Sequence, residues 1–382
     1  METAVIASVA RTPIGRASKG SLREVRPEDL VVTAIRAAVK RSGLAPDLLQ
    51  DHVLGTAYPE GRQGSNLARR ATLLAGYGSQ LPGATVNRFC ASSLQALRQA
   101  THAIWSGEAD ACLVSGVESG SQVGRTTTDA DKHPGLLPGS LNDVYLPMGV
   151  TAENVADRYG ITRAAMDEFA LRSHRLAVEA AKSGRTAREI VAVALPDGGE
   201  VDTDDGPRPD TTLERLAALS PAFREGGRVT AGNSCPLNDG AAAAVVTSEQ
   251  FAQRHGLQPR ARILATAVSG VDPAYMGVGP IEAIREVLRR TGISIAEVDV
   301  VEFNEAFAAQ VLAVCGEVGI DIDRQLNPSG GAIALGHPFG MTGLRLVSTL
   351  LSNLEASGGR LGLATLCVGG GQGMAVLLER LG

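Results

Sequence analysis

One arrangement occurs twice in this chain. ATVNRFCASSLQALRQATHAIWSG, from Ala84 to Gly107, reads as a strand feeding a turn and a long helix, and the apolar run ACLVSGVES follows it. GGAIALGHPFGMTGLRLVSTLLSNLEASG repeats the turn and helix, and LGLATLCVGGGQG follows. A strand, a helical crossover and a second strand make the βαβ unit of a sheet with helices on its faces. The recurrence predicts an α/β body of two similar halves, with site residues at their junction.

Between about Ser121 and Cys235 the rhythm breaks. A loop rich in Gly, Pro and Asp precedes helical TAENVADRYG and AAMDEFALRSHRLAVEAAKSG, and more polar loop follows. This predicts an inserted, loop-rich segment over 121–235. The first half then spans 1–120 and resumes at about 236–257, and the second spans 258–382. Strand-like runs alternating with helices predict a parallel sheet in the first half. With 44% hydrophobic residues, 45 glycines and 3% aromatics in 382 residues, small strands buried under helices fit better than a β-sandwich.

Charge excludes one class of partner. Net charge is −5, with 36 basic and 41 acidic residues well mixed, so there is no basic stripe to displace counterions from nucleic acid. No apolar run reaches the roughly 20 residues needed to span a bilayer, and the opening METAVIASVARTPIG lacks the pattern of a signal peptide. A cytoplasmic location without membrane contact is expected.

The five cysteines are odd in number and never paired as C-x-x-C, which argues against a disulfide frame and a metal site. Cys112 and Cys315 lie in apolar segments and read as buried small residues. Cys90 differs. Leu94, Leu97 and Ile104 share a helix face starting near Ala91, so Cys90 lies at the helix start, where unpaired N–H groups and the macrodipole favour a thiolate. Asn87 and Ser92 add polar neighbours, and a thiol pKa lowered from about 8.5 toward neutral is expected.

Such a nucleophile needs a base. His337 alone sits in special surroundings, bracketed by Gly336, Pro338 and Gly340 before a helix near Met341. His52, His102, His133, His174 and His255 read as solvated or capping residues. Cys367 ends a strand before Gly369, Gly370 and Gly371, whose N–H groups can converge on an oxyanion. A dinucleotide loop is the rival reading, but it needs a helix after the glycines, and MAVLLERLG reads as a final strand. Asn304 of NEAF stands at the carboxyl end of a strand, either as a helix N-cap or as an amide holding a water at a site.

NRFCASS, PMGVTAENVA, TAGNSCPLNDGAAA, NEAF, GGAIALGHPFG and CVGGGQG, in that order, resemble the thiolase family over essentially the whole chain. The resemblance implies a five-layered αβαβα body with an inserted, CoA-binding loop domain. It also implies reversible Claisen chemistry on 3-ketoacyl-CoA, with coenzyme A as substrate, no permanently bound cofactor and no metal. Carried over by residue, Cys90 is the acylated nucleophile, His337 its base and Cys367 the acid/base at C2. Asn304 holds a water beside the enolate, and the N–H groups of Cys90 and Gly369 face the acyl oxyanion.

Softer matches place Arg208 and Phe223 at the nucleotide end of CoA, and Met148 and Cys235 beside pantetheine and substrate. An ordinary loop arginine and a core anchor of the inserted segment are the competing readings of Arg208 and Phe223. Pro147 stands where biosynthetic members carry histidine, Cys235 where many carry serine, and Ser93 where glycine is frequent. Pro147 tilts the expectation toward a degradative thiolase cleaving longer 3-ketoacyl-CoA. The alternatives are a biosynthetic acetyl-CoA C-acetyltransferase and a non-catalytic acyl-CoA or lipid-binding protein on the same scaffold. A homodimer or homotetramer is implied, with 126–147 available for further contacts.

Overall fold

Residues alternate strictly between two cores along the central strands, and this alternation builds the layers. The computed structural model describes residues 2–124, 128–137 and 143–382. The principal strands are β1 (Ala4–Arg11), β2 (Asp51–Gly55), β3 (Ala84–Val86), β4 (Ala111–Ser119), β5 (Asn238–Ser248), β6 (Ala261–Gly270), β7 (Val300–Phe303), β8 (Leu361–Val368) and β9 (Gln372–Arg380). The longer helices are α1 (Pro27–Ser42), α2 (Leu67–Leu74), α3 (Ser92–Ser106), α4 (Met148–Arg158), α5 (Arg163–Lys182), α6 (Pro280–Thr291), α7 (Ala308–Val318) and α8 (Phe339–Ser357).

On β5, Ala242, Ala244 and Val246 face one core while Ala241, Ala243 and Val245 face another. On β9, Met374, Val376 and Leu378 face that same first core, and Ala375 and Leu377 face a third. A strand's side chains point alternately to its two faces, so both sheets share the first core. Leu94, Leu97 and Ile104 of α3 and Leu344, Val347 and Leu351 of α8 fill it. Helices α1 and α2 cover the outer face of the first sheet, and α6 and α7 that of the second. The result is the expected five layers, helix–sheet–helix–sheet–helix.

The sheet is mixed, not parallel as the alternation of elements suggested. In the first half β2 and β4 are parallel, β4 pairs antiparallel with β5, and β5 antiparallel with β1. The second half repeats this with β7, β8, β9 and β6. β1 and β6 join the two sheets through only two residue pairs, Val5 with Arg262 and Ile6 with Ala261. The expectation failed because β5 and β9 arrive by a long excursion and by a hairpin, and a hairpin reverses the chain.

The two halves differ in one connection. Where β8 turns into β9 through Gly369, Gly370 and Gly371, β4 leads into β5 only after 120–237, the stretch that carries α4 and α5. Part of the 126–147 segment expected to make further contacts, 126–127 and 138–142, lies outside the described residues. Among the described residues no helix is long and apolar enough to cross a membrane.

The middle-layer helices touch closely. Leu344 N–H donates to Ser93 Oγ at 3.0 Å, and a Cβ at Gly343 would fall 2.5 Å from the backbone nitrogen of Leu94. Ser93 thus ties one middle helix to the other.

Candidate active site

Cys90 and His337 occupy equivalent places, each two residues before a middle-layer helix. The turn carrying Cys90, a short 3-10 helix over Phe89–Ala91, packs against the start of α8. Phe89 has φ of 42°, a left-handed conformation disfavoured for a residue with a side chain. Polar side chains hold the turn: Phe89 N–H donates to Asn87 Oδ1 at 2.7 Å, and Ser92 Oγ accepts from Arg88 N–H and donates to the Phe89 carbonyl. Asn87 and Ser92 therefore serve the backbone and not the sulfur.

The low thiol pKa expected at Cys90 is not found. Desolvation pushes it up to about 12, and the N–H groups of Gly369 and of Cys90 itself offset this only partly. Burial outweighs the helix terminus because Cys90 lies in the 3-10 turn, outside the first turn of α3 proper. The thiol rests protonated, so a base must take its proton when it reacts.

His337 is suited to that. Its Nδ1 lies 2.7 Å from Thr342 Oγ1, and that hydroxyl donates to the Pro338 carbonyl at 2.8 Å. Thr342 thus has only a lone pair to offer, so Nδ1 carries the hydrogen and Nε2 is the bare nitrogen. Burial, and then the positive charge of buried Arg345, lower the imidazole pKa to about 3, so the ring is neutral at physiological pH. Its backbone N–H donates to Asn238 Oδ1 at 2.9 Å. Gly336 has φ of 112°, and a Cβ there would lie 2.5 Å from the Asn238 amide, so this turn demands glycine. Gly340 N–H donates to Glu118 Oε2 at 2.9 Å, binding the turn to the first half. The helix begins at Phe339, two residues before the expected start.

Asn304 follows β7 and is fully buried, with Nδ2 3.3 Å from His337 Nε2. Its Oδ1 is buried without a partner among the described residues. It caps no helix, since α7 starts at Ala308 and its N-cap is Phe307. Cys367, near the end of β8, is 1% exposed and packs with Ala306, Phe307, Met148 and Cys235. The thiols of Cys90, Cys235 and Cys367 lie close enough that negative charge on Cys90 opposes ionisation of Cys235 and Cys367, and charge on Cys235 opposes that of Cys367. Burial comes first among the causes that raise Cys235 and Cys367. The Gly369 N–H lies near enough to the Cys90 sulfur to favour its thiolate.

Phe223 is 42% exposed, so it is no core anchor; its ring stacks edge-on against Phe307 at 6.1 Å and lies over Gly149, beside Met148. Arg208 stands apart. Its N–H donates to His174 Nδ1 at 3.2 Å, and with Arg172, Arg175 and Lys182 it lines a cleft of about 510 Å³ along α5. His174 and His52 are buried, not solvated as expected. Hydrogen bonds permit this: His52 Nε2 lies 2.7 Å from Ser115 Oγ and its Nδ1 2.9 Å from Thr72 Oγ1.

Thr342, Gln310, Arg88 and Gln372, all of which contact the residues above, do not stand out in the sequence. Their signal is spatial: Thr342 reaches His337 by helical spacing, but Arg88 and Gln372 are 284 positions apart. Among the described residues no cluster of three or more His, Cys, Asp or Glu side chains has a metal-binding arrangement.

Comparison with known proteins agrees with this geometry. Residues 4–250 match the family model described as the thiolase N-terminal domain, and 257–380 the thiolase C-terminal domain. A beta-ketoadipyl-CoA thiolase of Pseudomonas aeruginosa is 46% identical, covering 98% of each chain. A 3-ketoacyl-CoA thiolase of Erwinia tasmaniensis is 45% identical over 100% of both. The crystal structure of an acetyl-CoA acetyltransferase of Bacillus anthracis superposes with a TM-score of 0.93 at 41% identity, covering 100% of this chain and 99% of that one. With both halves matched and the duplicated frame intact, the chain belongs to the thiolase family.

Proposed function

We propose that this protein is an acyltransferase that cleaves 3-ketoacyl-CoA with coenzyme A, giving acetyl-CoA and an acyl-CoA two carbons shorter. The observation that carries the reading is the neutral His337, its Nε2 bare, at the helix start equivalent to that of Cys90.

His337 takes the proton of Cys90, and the thiolate attacks the 3-keto carbon. The N–H groups of Cys90 and Gly369 receive the developing oxyanion, in keeping with the influence that both exert on the Cys90 thiol. The C2–C3 bond breaks, leaving an acyl-Cys90 thioester and the enolate of acetyl-CoA. Cys367 gives its proton to C2 and becomes a thiolate, while His337 and a water on the unpaired Asn304 Oδ1 steady the enolate oxygen. The thiol of incoming CoA returns a proton to Cys367, attacks the thioester and expels Cys90, which recovers its proton from His337. Coenzyme A is thus a substrate and not a resident cofactor.

Met148, Cys235 and Phe223 line the approach beside Cys367, which suits pantetheine, and the cleft at Arg208, where Arg172, Arg175, Lys182 and Arg208 outnumber Glu168 and Glu179, suits the phosphates at the nucleotide end. The names of the two thiolase relatives support the degradative direction over acetoacetyl-CoA synthesis, and the retained Cys90, His337 and Cys367 oppose a binding role alone. β3 ends the sheet path with an open edge, beside the exposed Leu73 and Leu74 of α2, which supports association with a second copy as a homodimer or homotetramer. We assign the enzyme to the cytoplasm.

Intact-mass measurement after incubation with acetyl-CoA tests the reading: one acetyl group on Cys90, absent in Cys90→Ala, is the expected result. A panel of 3-ketoacyl-CoA substrates follows. Strict preference for acetoacetyl-CoA would favour the biosynthetic alternative, and no acetylation would favour the binding protein.

A further inference from the structure

Among the described residues the Cys367 thiol has one side-chain hydrogen-bond partner. Its Sγ donates to Gln310 Oε1 across 3.5 Å, and Gln310, on α7, is fully buried. The other end of that amide, Nε2, is buried with no partner among the described residues. A buried amide used on one side only is costly, and native proteins keep few of them. The stem of the side chain is fixed: a Cβ at Gly277 would lie 2.6 Å from Gln310 Cβ, so the turn before α6 closes directly over it. The terminal amide torsion is the soft one, broad and roughly two-fold.

Resting on the function proposed above, Cys367 must exist in two states. When it protonates the departing enolate, its S–H bond breaks, a C–H bond forms at C2 and the electron pair stays on sulfur. The thiolate then waits, buried, until the proton of the CoA thiol restores the S–H bond. In the first state the sulfur needs an acceptor and in the second a donor. A carboxamide offers both at its two ends.

We propose that Gln310 is a positioning residue for Cys367 in both protonation states: Oε1 accepts from the thiol, and a half-turn of the amide lets Nε2 donate to the thiolate. The unpartnered Nε2 is the group held in reserve, and the turn breaks no bond that it makes now. Cys90 and Cys235 act against the Cys367 thiolate and its own backbone N–H favours it, and the Gln310 amide is the side chain within hydrogen-bond reach of the sulfur among the described residues.

The experiment separates the two half-reactions on the full-length protein. Wild-type acetylation by acetyl-CoA is the control; Cys90 acetylation by p-nitrophenyl acetate, whose phenolate leaves without a proton from Cys367, is followed by intact mass in wild type and variants, and deuterium incorporation into the methyl group of acetyl-CoA in D2O reports proton transfer through Cys367. Gln310→Leu keeps most of the volume, and Gln310→Glu keeps an acceptor but, once ionised, loses the donor. Both variants are expected to acetylate Cys90 within about twofold of the wild type and to exchange deuterium about 10- to 100-fold more slowly, the size of a lost hydrogen bond to a charged group. Wild-type exchange in either variant, or an equal fall in acetylation and exchange, would overturn the proposal, the second because it marks a merely structural role. Failure of the wild type itself to acetylate would instead remove the proposed function and this inference with it.

Discussion

Arg88 reaches Gln372 across 284 residues of chain, Nη1 donating to Oε1 at 2.9 Å. Arg88 Nε donates to Gln95 Oε1 at 2.9 Å, and Gln372 Nε2 donates to the Gly369 carbonyl at 3.2 Å. The turn bearing Cys90 and the loop bearing Gly369 are thereby clamped together, which fixes the spacing of the two N–H groups proposed to receive the oxyanion. Arg88→Ala and Gln372→Ala should each lower kcat by about 10- to 100-fold. In the double variant the losses should not add, because both cut one link. Steady-state kinetics of the four proteins checks this, and full additivity would count against the clamp.

Thr342 fixes which nitrogen of His337 is bare. Thr342→Val removes the hydroxyl while keeping the shape, leaving Nδ1–H buried without an acceptor and freeing the ring to adopt the other tautomer. Activity should fall by about 100-fold, and Thr342→Ser should recover most of it. A Thr342→Val enzyme of normal rate would show that the tautomer is set elsewhere.

Three buried histidines couple stability to pH. Desolvation lowers His337 to about 3 and His52 and His174 to about 4, from an ordinary value of 6.5. Below pH 6.5 the unfolded chain binds protons that the native state refuses, so stability falls as pH falls through 6.5 toward 4. Each histidine contributes a slope of up to about 1.4 kcal/mol per pH unit. Urea unfolding at about pH 7, 6 and 5 should show the decline, and His52→Asn should make it shallower.

The glycine run divides into two kinds of position. A Cβ at Gly371, where φ is 79°, would sit 2.3 Å from the Val271 carbonyl oxygen, whereas a Cβ at Gly369 would lie 3.5 Å from the Phe89 ring, an ordinary contact. Gly371→Ala should therefore cost about 2 kcal/mol or more of stability. Gly369→Ala should melt close to the wild type and express any loss in catalysis. Thermal unfolding beside activity separates the two.

Much of this frame was legible in the sequence. The two strand–turn–helix passages and the positions of Cys90 and His337 before their helices follow from periodicity and glycine placement, which are local properties. Strand direction was not, because the parallel or antiparallel sense of β5 depends on a partner more than a hundred residues away. The Cys90 thiol was misjudged for a related reason: a helix terminus can be read from neighbours in sequence, but desolvation comes from everything packed around the sulfur. His52 and His174 looked solvated because their satisfying partners, Ser115 and the Arg208 backbone, lie 63 and 34 positions away.

Cys90 and His337 stand at matching points of two halves that share one topology. Were the halves separate and identical subunits, the two helix starts would carry two thiols or two imidazoles, and neither pair could act as nucleophile and base. Joining both copies in a single chain lets one position hold two different residues. The division of labour between donor and acceptor of the proton is therefore a property of the fusion, and a symmetric pair of either half alone would have the scaffold without the reaction.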